Sequence, residues 1–237
     1  MTTIKIGDRW QPNYKLSINV GLGIFIYDDI LTGKSNSLTG NFGLQYKVNK
    51  HNEVGYKFKR DIQNYSVDLT KLGIILNQHQ INYLYSSNNK PGFFVQFDKT
   101  FQSDQNERTL LFGSLYYEIK SFPLIKFGTN VSYMSFKDNR SEFYFSPSEY
   151  QVYEAFIHVG NVYDKDSKWI YNLMFALGKQ KIEKSNFQGV RRLEIEVGFR
   201  FNSHINFKLN YTNNTAANTT ALGYQFNKLG AKASYRF

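Results

Sequence analysis

Between residues 190 and 201 charge recurs at every second position. Arg192, Glu194, Glu196 and Arg200 share one face with Gly198, while Leu193, Ile195, Val197, Phe199 and Phe201 occupy the other. Ions spaced in this way can pair with those of neighbouring segments, at about 5 Å if the segments are adjacent strands. The flanking sequence supplies partners: Lys168 and Asn172 before it, and Asn206, Lys208 and Asn210 after it. Two roles stand open for such a face. Its ions either fill and rigidify a polar interior, or they select the solute that passes through it.

Catalysis would require a nucleophile beside a base, and the histidines His51, His79, His158 and His204 are scattered. His158 and Glu154 fall on a common face. Neither a Gly-x-Ser-x-Gly elbow, nor His-Glu-x-x-His, nor a metal-spaced cluster occurs, so no cofactor and no metal is expected. A lipid-modifying barrel would bring its residues together from distant segments and would need no local motif.

These faces need strands to hold them. Residues 15–28 alternate without a break, with Leu16, Ile18, Val20, Leu22, Ile24 and Ile26 against Lys15, Ser17, Asn19, Gly21, Gly23, Phe25 and Tyr27. A helix repeats near 3.6 residues and cannot place these six on one side. The chain ends in the same way: Leu229, Ala231, Ala233, Tyr235 and Phe237 alternate with Lys228, Gly230, Lys232, Ser234 and Arg236. Further alternating segments fall near 37–48, 53–62, 78–86, 92–102, 107–119, 124–137, 149–160, 168–180 and 204–213. Each is long enough to cross a bilayer when tilted.

Connections at 49–52, 87–91, 120–123 and 202–203 read as tight, and those at 29–36, 63–77, 138–148 and 214–225 as long. Short turns at one end and long loops at the other are expected of the periplasmic and extracellular ends of a membrane barrel. Counting from Lys15 gives about twelve strands; a further strand supplied upstream in an intact protein would make about fourteen. Residues 1–14 therefore read as a lead-in or an extra strand with its turn, and 15–237 as the barrel.

Composition fits this class. Aromatic residues make up 17% of the chain and only four prolines interrupt it, which suits an extended sheet. The mean hydropathy of −0.47 does not exclude a membrane, because each strand's polar face cancels its apolar one. No apolar run approaches the roughly 20 residues of a spanning helix, so a membrane-spanning form must be a closed barrel. A soluble barrel of twelve strands would enclose a greasy hollow, which disfavours it. Residues 1–10 lack the apolar core of a secretory signal, and the chain has no cysteine. The net charge of +10 is scattered over polar faces and not gathered into a patch, so no nucleic-acid partner is expected.

Lys5, Lys47, Lys57, Lys59, Lys126, Lys208, Lys232 and Arg236 fall on interior positions and outnumber Glu53, Asp61, Asp98, Glu118 and Glu154. A basic constriction favours anionic or neutral solutes. Tyr46, Tyr56, Tyr83, Tyr85, Trp169, Tyr171 and Tyr211 read as an interfacial girdle. The inward-facing Phe25, Tyr27 and Tyr116 either fill space or stack on sugar rings.

Three stretches carry a family resemblance: Ser103-Asp104-Gln105-Asn106-Glu107-Arg108, then Phe143-Tyr144-Phe145-Ser146-Pro147-Ser148-Glu149-Tyr150, and the terminal Ala233-Ser234-Tyr235-Arg236-Phe237. Together they resemble the outer-membrane barrel that follows tetratricopeptide repeats in bacterial cellulose and poly-N-acetylglucosamine exporters, and the related YaiO-type barrels. The resemblance implies an all-β, transmembrane, antiparallel up-and-down barrel in the bacterial outer membrane, contacting its lipid. It further implies polysaccharide as cargo and a repeat-bearing periplasmic adaptor, which, since no helical repeat precedes the barrel in the sequence as written, is either a partner on another chain or a part that was removed. Tyr144, Phe145, Ser146 and Pro147 become gating candidates, or merely a loop in which Pro stops a strand. Three functions follow from these observations: a passive conduit for polysaccharide or another polar or anionic solute, a structural or assembly barrel that binds a partner, and a lipid-modifying enzyme.

Overall fold

The computed structural model describes residues 2–29, 33–63, 73–87, 90–121, 123–161, 168–201, 205–216 and 226–235. All regular structure among them is β. In chain order the strands are β1 (Thr2–Trp10), β2 (Leu16–Asp29), β3 (Gly33–Lys47), β4 (Asn52–Ile62), β5 (Ile75–Tyr85), β6 (Pro91–Gln102) and β7 (Glu107–Ser121). They continue with β8 (Leu124–Phe136), β9 (Tyr150–Gly160), β10 (Trp169–Ile182), β11 (Gln188–Arg200), β12 (Ile205–Asn214) and β13 (Phe226–Tyr235). The thirteen form one sheet in which spatial order is chain order.

The count of about twelve is thus corrected to thirteen among the described residues. Thr2–Trp10 is a strand and not a lead-in, because its own alternation lets it pair with β2 from Thr2↔Ile26 to Trp10↔Ile18. A second correction concerns residues 29–36. Asp28↔Lys34 and Asp29↔Gly33 extend the β2–β3 ladder through most of that stretch, since a polar sequence can still pair its backbone. The longest connections, 63–74, 137–149 and 215–225, each follow an even-numbered strand.

Contacts group the strands into two units. The first comprises Met1–Tyr85, Phe94–Gly113 and Tyr133–Tyr150, the second Ser86–Phe93, Ser114–Ser132 and Gln151–Phe237. In both, the usual distribution of polarity is reversed. Asp98 and Thr100 on β6 are 0% and 1% exposed, whereas Val95, Phe97 and Phe101 between them are exposed. On β10 the pattern repeats, with Ala176 and Gln180 buried and Leu173, Phe175 and Leu177 exposed. An aqueous protein would bury the second set, so the exposed face is built for an apolar solvent.

Interior side chains are accommodated by glycine in register. Gly21 lies opposite Asn41 and Gly55 opposite Asn82, and at each a Cβ would come within 2.5 Å or less of the facing amide oxygen. The amides therefore lie flat against the neighbouring strand.

Candidate functional site

In the second unit the face predicted from residues 190–201 is the one turned to the interior. Arg192 is its centre: Nη2 lies 2.7 Å from Glu154 Oε2 on β9, and Nη1 lies 3.5 Å from Glu194 Oε1. Asn130 on β8 donates to the same Glu154 oxygen at 3.4 Å. Glu154 has its side chain only 8% exposed, so the guanidinium and amide replace water that the carboxylate has lost. Arg192 Nε is also buried, and no acceptor among the described residues reaches it.

A second pair stands further along the face. Lys208 Nζ on β12 is 2.8 Å from Glu196 Oε1, and Lys208 is also directly opposite Lys232 of β13 in register. Glu196 takes up one of these two like charges, and Lys232 stays exposed. Arg200 lies on the same face opposite Asn206, half-buried. Elsewhere in this unit Lys126 Nζ is 3.5 Å from Glu118 Oε2 and 4.6 Å from the centroid of the Tyr116 ring. The inward placement expected for Tyr116 is thus observed. Its ring also closes over Gly92, where a Cβ would be 2.6 Å from it.

His158, the catalytic candidate, hydrogen-bonds Asn172 through Nε2. Glu154, two residues along, is engaged by Arg192 instead. Arg236 and the side chains of Tyr27 and Lys5 lie outside the described residues.

The first unit holds the four loop candidates, and two of them are deeply buried: Tyr144 is 2% exposed and Ser146 is 0%. The Tyr144 hydroxyl accepts from Asn106 Nδ2 at 2.8 Å and lies 2.8 Å from Gln102 Oε1 and 2.9 Å from Asp104 Oδ2. Burial and the neighbouring Asp104 carboxylate raise its pKa; burial is the larger cause. Ser146 Oγ accepts the Arg140 N–H at 2.6 Å, and the Arg140 guanidinium reaches Asp104 at 3.0 Å. Phe145 stacks edge-on against Tyr150, with ring centroids 5.5 Å apart, and the Pro147 carbonyl accepts from Phe136 N–H at 3.0 Å. The loop is thereby fastened to the turn at residues 103–106.

Sequence reasoning placed the Ser103–Arg108 stretch and the Tyr-Phe-Ser-Pro loop in the same resemblance without joining them in space. It also missed the partners Gln102 and Arg140. Nor did it find the quartet on β5, β6 and β7 in which the half-buried Gln78 joins the buried Asp98, Thr100 and Arg108. There Asp98 Oδ1 is 3.0 Å from Arg108 Nη2 and accepts from Thr100 Oγ1 at 2.9 Å, while Oδ2 accepts from Gln78. The available signal was polar residues at inward positions of a strand whose other face is Val and Phe.

A third feature, also in the first unit, is a polar recess of about 510 Å³ between β2 and β5. Asn19, Asn41, Gln45, Lys57, Gln80 and Asn82 line it. Amides both donate and accept, so this wall can replace the hydration of a hydroxyl-rich solute.

Solved structures similar to this chain include the following two. One is a bacterial polysaccharide outer membrane secretin, matched with a TM-score of 0.78 at 14% sequence identity over 99% of this chain and 80% of that one. The other is OccK11 (OpdR) of Pseudomonas aeruginosa, with a TM-score of 0.53 at 9% identity over 98% of this chain and 70% of that one. No protein-family profile and no curated relative matches the chain. Together with the reversed polarity, these likenesses establish the fold as the transmembrane antiparallel β-barrel.

Proposed function

We propose that this protein is a conduit of the bacterial outer membrane that passes a polar solute, with polysaccharide its cargo. The observation that carries the reading is the chemistry of the buried face. Asp98, Arg108, Glu118, Asn130, Glu154 and Asn214 are all at most 9% exposed, while the aliphatic side chains between such positions are exposed. A barrel wall of this kind separates lipid from water. The likeness in fold to a polysaccharide secretin supports the cargo, as does the amide recess, which suits neutral hydroxyls better than ions.

Cations set the selectivity. Lys57 and Lys232 are exposed on the interior face and meet no carboxylate among the described residues, while Glu154, Glu194 and Glu196 are occupied by Arg192 and Lys208. The net interior field therefore favours anionic over cationic solutes. The loop carrying Tyr144, Phe145, Ser146 and Pro147 acts as a fixed constriction that narrows the pathway without closing it, held in place by its bonds to the turn at 103–106. Connections after odd-numbered strands form the periplasmic end, where a repeat-bearing partner docks.

Planar-bilayer recording of the refolded protein tests the conduit. Discrete conductance steps that neutral oligosaccharides reduce are expected. A verified, inserted barrel with no current would instead favour the structural or assembly role.

A further inference from the structure

Strands β10 and β11 grade their exposed face by depth. At one end Trp169 and Phe199 pack at a tilt with ring centroids 4.9 Å apart, beside Phe201; Leu173, Phe175, Leu177 and Val197 follow. At the other end the same face becomes cationic. Alternation places Lys179 and Lys181 on it, and Arg191, exposed, lies opposite Leu177 in register, diagonal to Lys179. Lys184, also exposed, stands in the turn that joins the two strands. No carboxylate shares this face of β10 or β11: Glu194 and Glu196 point to the other side, and Glu183 lies in the turn.

Beside these cations runs an apolar groove of about 590 Å³, lined by Val131, Tyr153, Ala155, Leu177 and Phe187, with Lys179 among its lining residues. Tyr153 and Phe187 form an aromatic wall, with ring centroids 6.2 Å apart, and Lys181 Nζ is 5.9 Å from the Phe187 ring. The turn at residues 183–187 follows an even-numbered strand, as does the long connection 215–225 in the same unit, so it belongs to the extracellular end.

From this arrangement we infer that the outer surface of β8 to β11 binds one phosphorylated, acylated lipid of the outer leaflet. Its phosphates sit on Lys179, Lys181 and Arg191, and one acyl chain lies in the groove. Charge complementarity selects this occupant. Cations that meet no carboxylate among the described residues, beside an apolar groove, match an anionic head joined to a hydrocarbon tail, whereas a zwitterionic lipid would bring a cation of its own. The inference rests on the membrane reading above.

The test uses the full chain refolded into phosphatidylcholine liposomes, with insertion established first by heat-modified gel mobility. Diphosphoryl lipid A and the same lipid without phosphates are then compared as ligands by native mass spectrometry and thermal shift, with inorganic phosphate as competitor. The phosphorylated lipid should bind and raise the melting temperature, and the triple variant K179Q/K181Q/R191Q should weaken it roughly tenfold to a hundredfold. Ala155→Trp, which fills the groove without touching the cations, should weaken it as well. Equal binding of the dephosphorylated lipid, unchanged binding by the triple variant, or displacement by equimolar inorganic phosphate would each overturn the site. A failure to insert would show in the mobility assay and would remove the membrane reading itself.

Discussion

Tyr144 and Asn106 come from separate stretches of the chain, and the structure joins them through a buried hydrogen bond of 2.8 Å. Asn106 is fully enclosed, and its amide is used completely. Nδ2 donates to Tyr144 and to the Asp138 carbonyl at 2.9 Å, while Oδ1 accepts the backbone N–H groups of Glu107 and Asp138 at 2.8 and 3.0 Å. One side chain thus bridges the start of β7, the chain just beyond β8 and the loop. Polar groups paired this fully and out of water rigidify what they connect.

Tyr144→Phe keeps the ring against Phe136 but leaves Asn106 and Gln102 short of a buried partner. The expected cost is about 1–3 kcal/mol, measured as a lower midpoint of urea unfolding in liposomes. If the loop narrows the pathway, the same variant should also show noisier and higher single-channel conductance. Stability falling while the conductance trace stays unchanged would leave the loop a purely structural role.

The raised pKa of Tyr144 gives this contact a pH signature. Its folded value lies above the ordinary 10.0, so the native state retains its phenolic proton where the unfolded chain has released one. The contribution is complete below about pH 10 and is lost as pH rises from there through the folded value. Wild type should therefore lose stability above about pH 10 more steeply than Tyr144→Phe, as followed by circular dichroism. Parallel slopes would mean that the hydroxyl is accessible to water.

Arg192→Gln removes the centre of the ionic face. Glu154, with little solvent access, then lacks its cation and Glu194 is unpaired, so the interior gains net negative charge. Reversal potentials under a salt gradient should shift toward cation preference, and unfolding should become easier by roughly 1–3 kcal/mol. Lys232→Gln, exposed and meeting no acid among the described residues, should shift the reversal potential in the same direction with stability changed by no more than about 0.5 kcal/mol. A selectivity indifferent to both would mean that solute does not pass this wall.

Much of the wall was legible because a strand has a period of two: once Leu193, Ile195 and Val197 form one side, Arg192, Glu194 and Glu196 must form the other. Pairing across strands was harder to read. That Arg192 meets Glu154, and that Lys208 takes Glu196 while facing Lys232, depends on register, which a single strand does not encode. The loop was legible as an interruption at Pro147, but its anchor at Asn106 was not, since their contact is long-range in sequence and local pattern carries no trace of it. Thr2–Trp10 was ambiguous for a related reason: with Gly7 and Asp8 in its middle, its apolar face is thin, and only pairing with β2 makes it a strand.

Everything functional depends on which side of the wall meets lipid, and charge placed on each side separates the alternatives. Leu115 is 59% exposed in the middle of β7, and Leu22 is equally exposed on β2. Leu115→Arg and Leu22→Arg should each destabilise the inserted barrel by about 2–4 kcal/mol if these positions face mid-bilayer hydrocarbon. Asn41→Arg, one strand from Leu22 but on the interior face over Gly21, should cost far less, since a long cation there can extend into water. Equilibrium unfolding in liposomes of uniform thickness measures all three. A soluble protein would show the opposite order, with the Asn41 substitution the most damaging and the two leucines replaced at almost no cost.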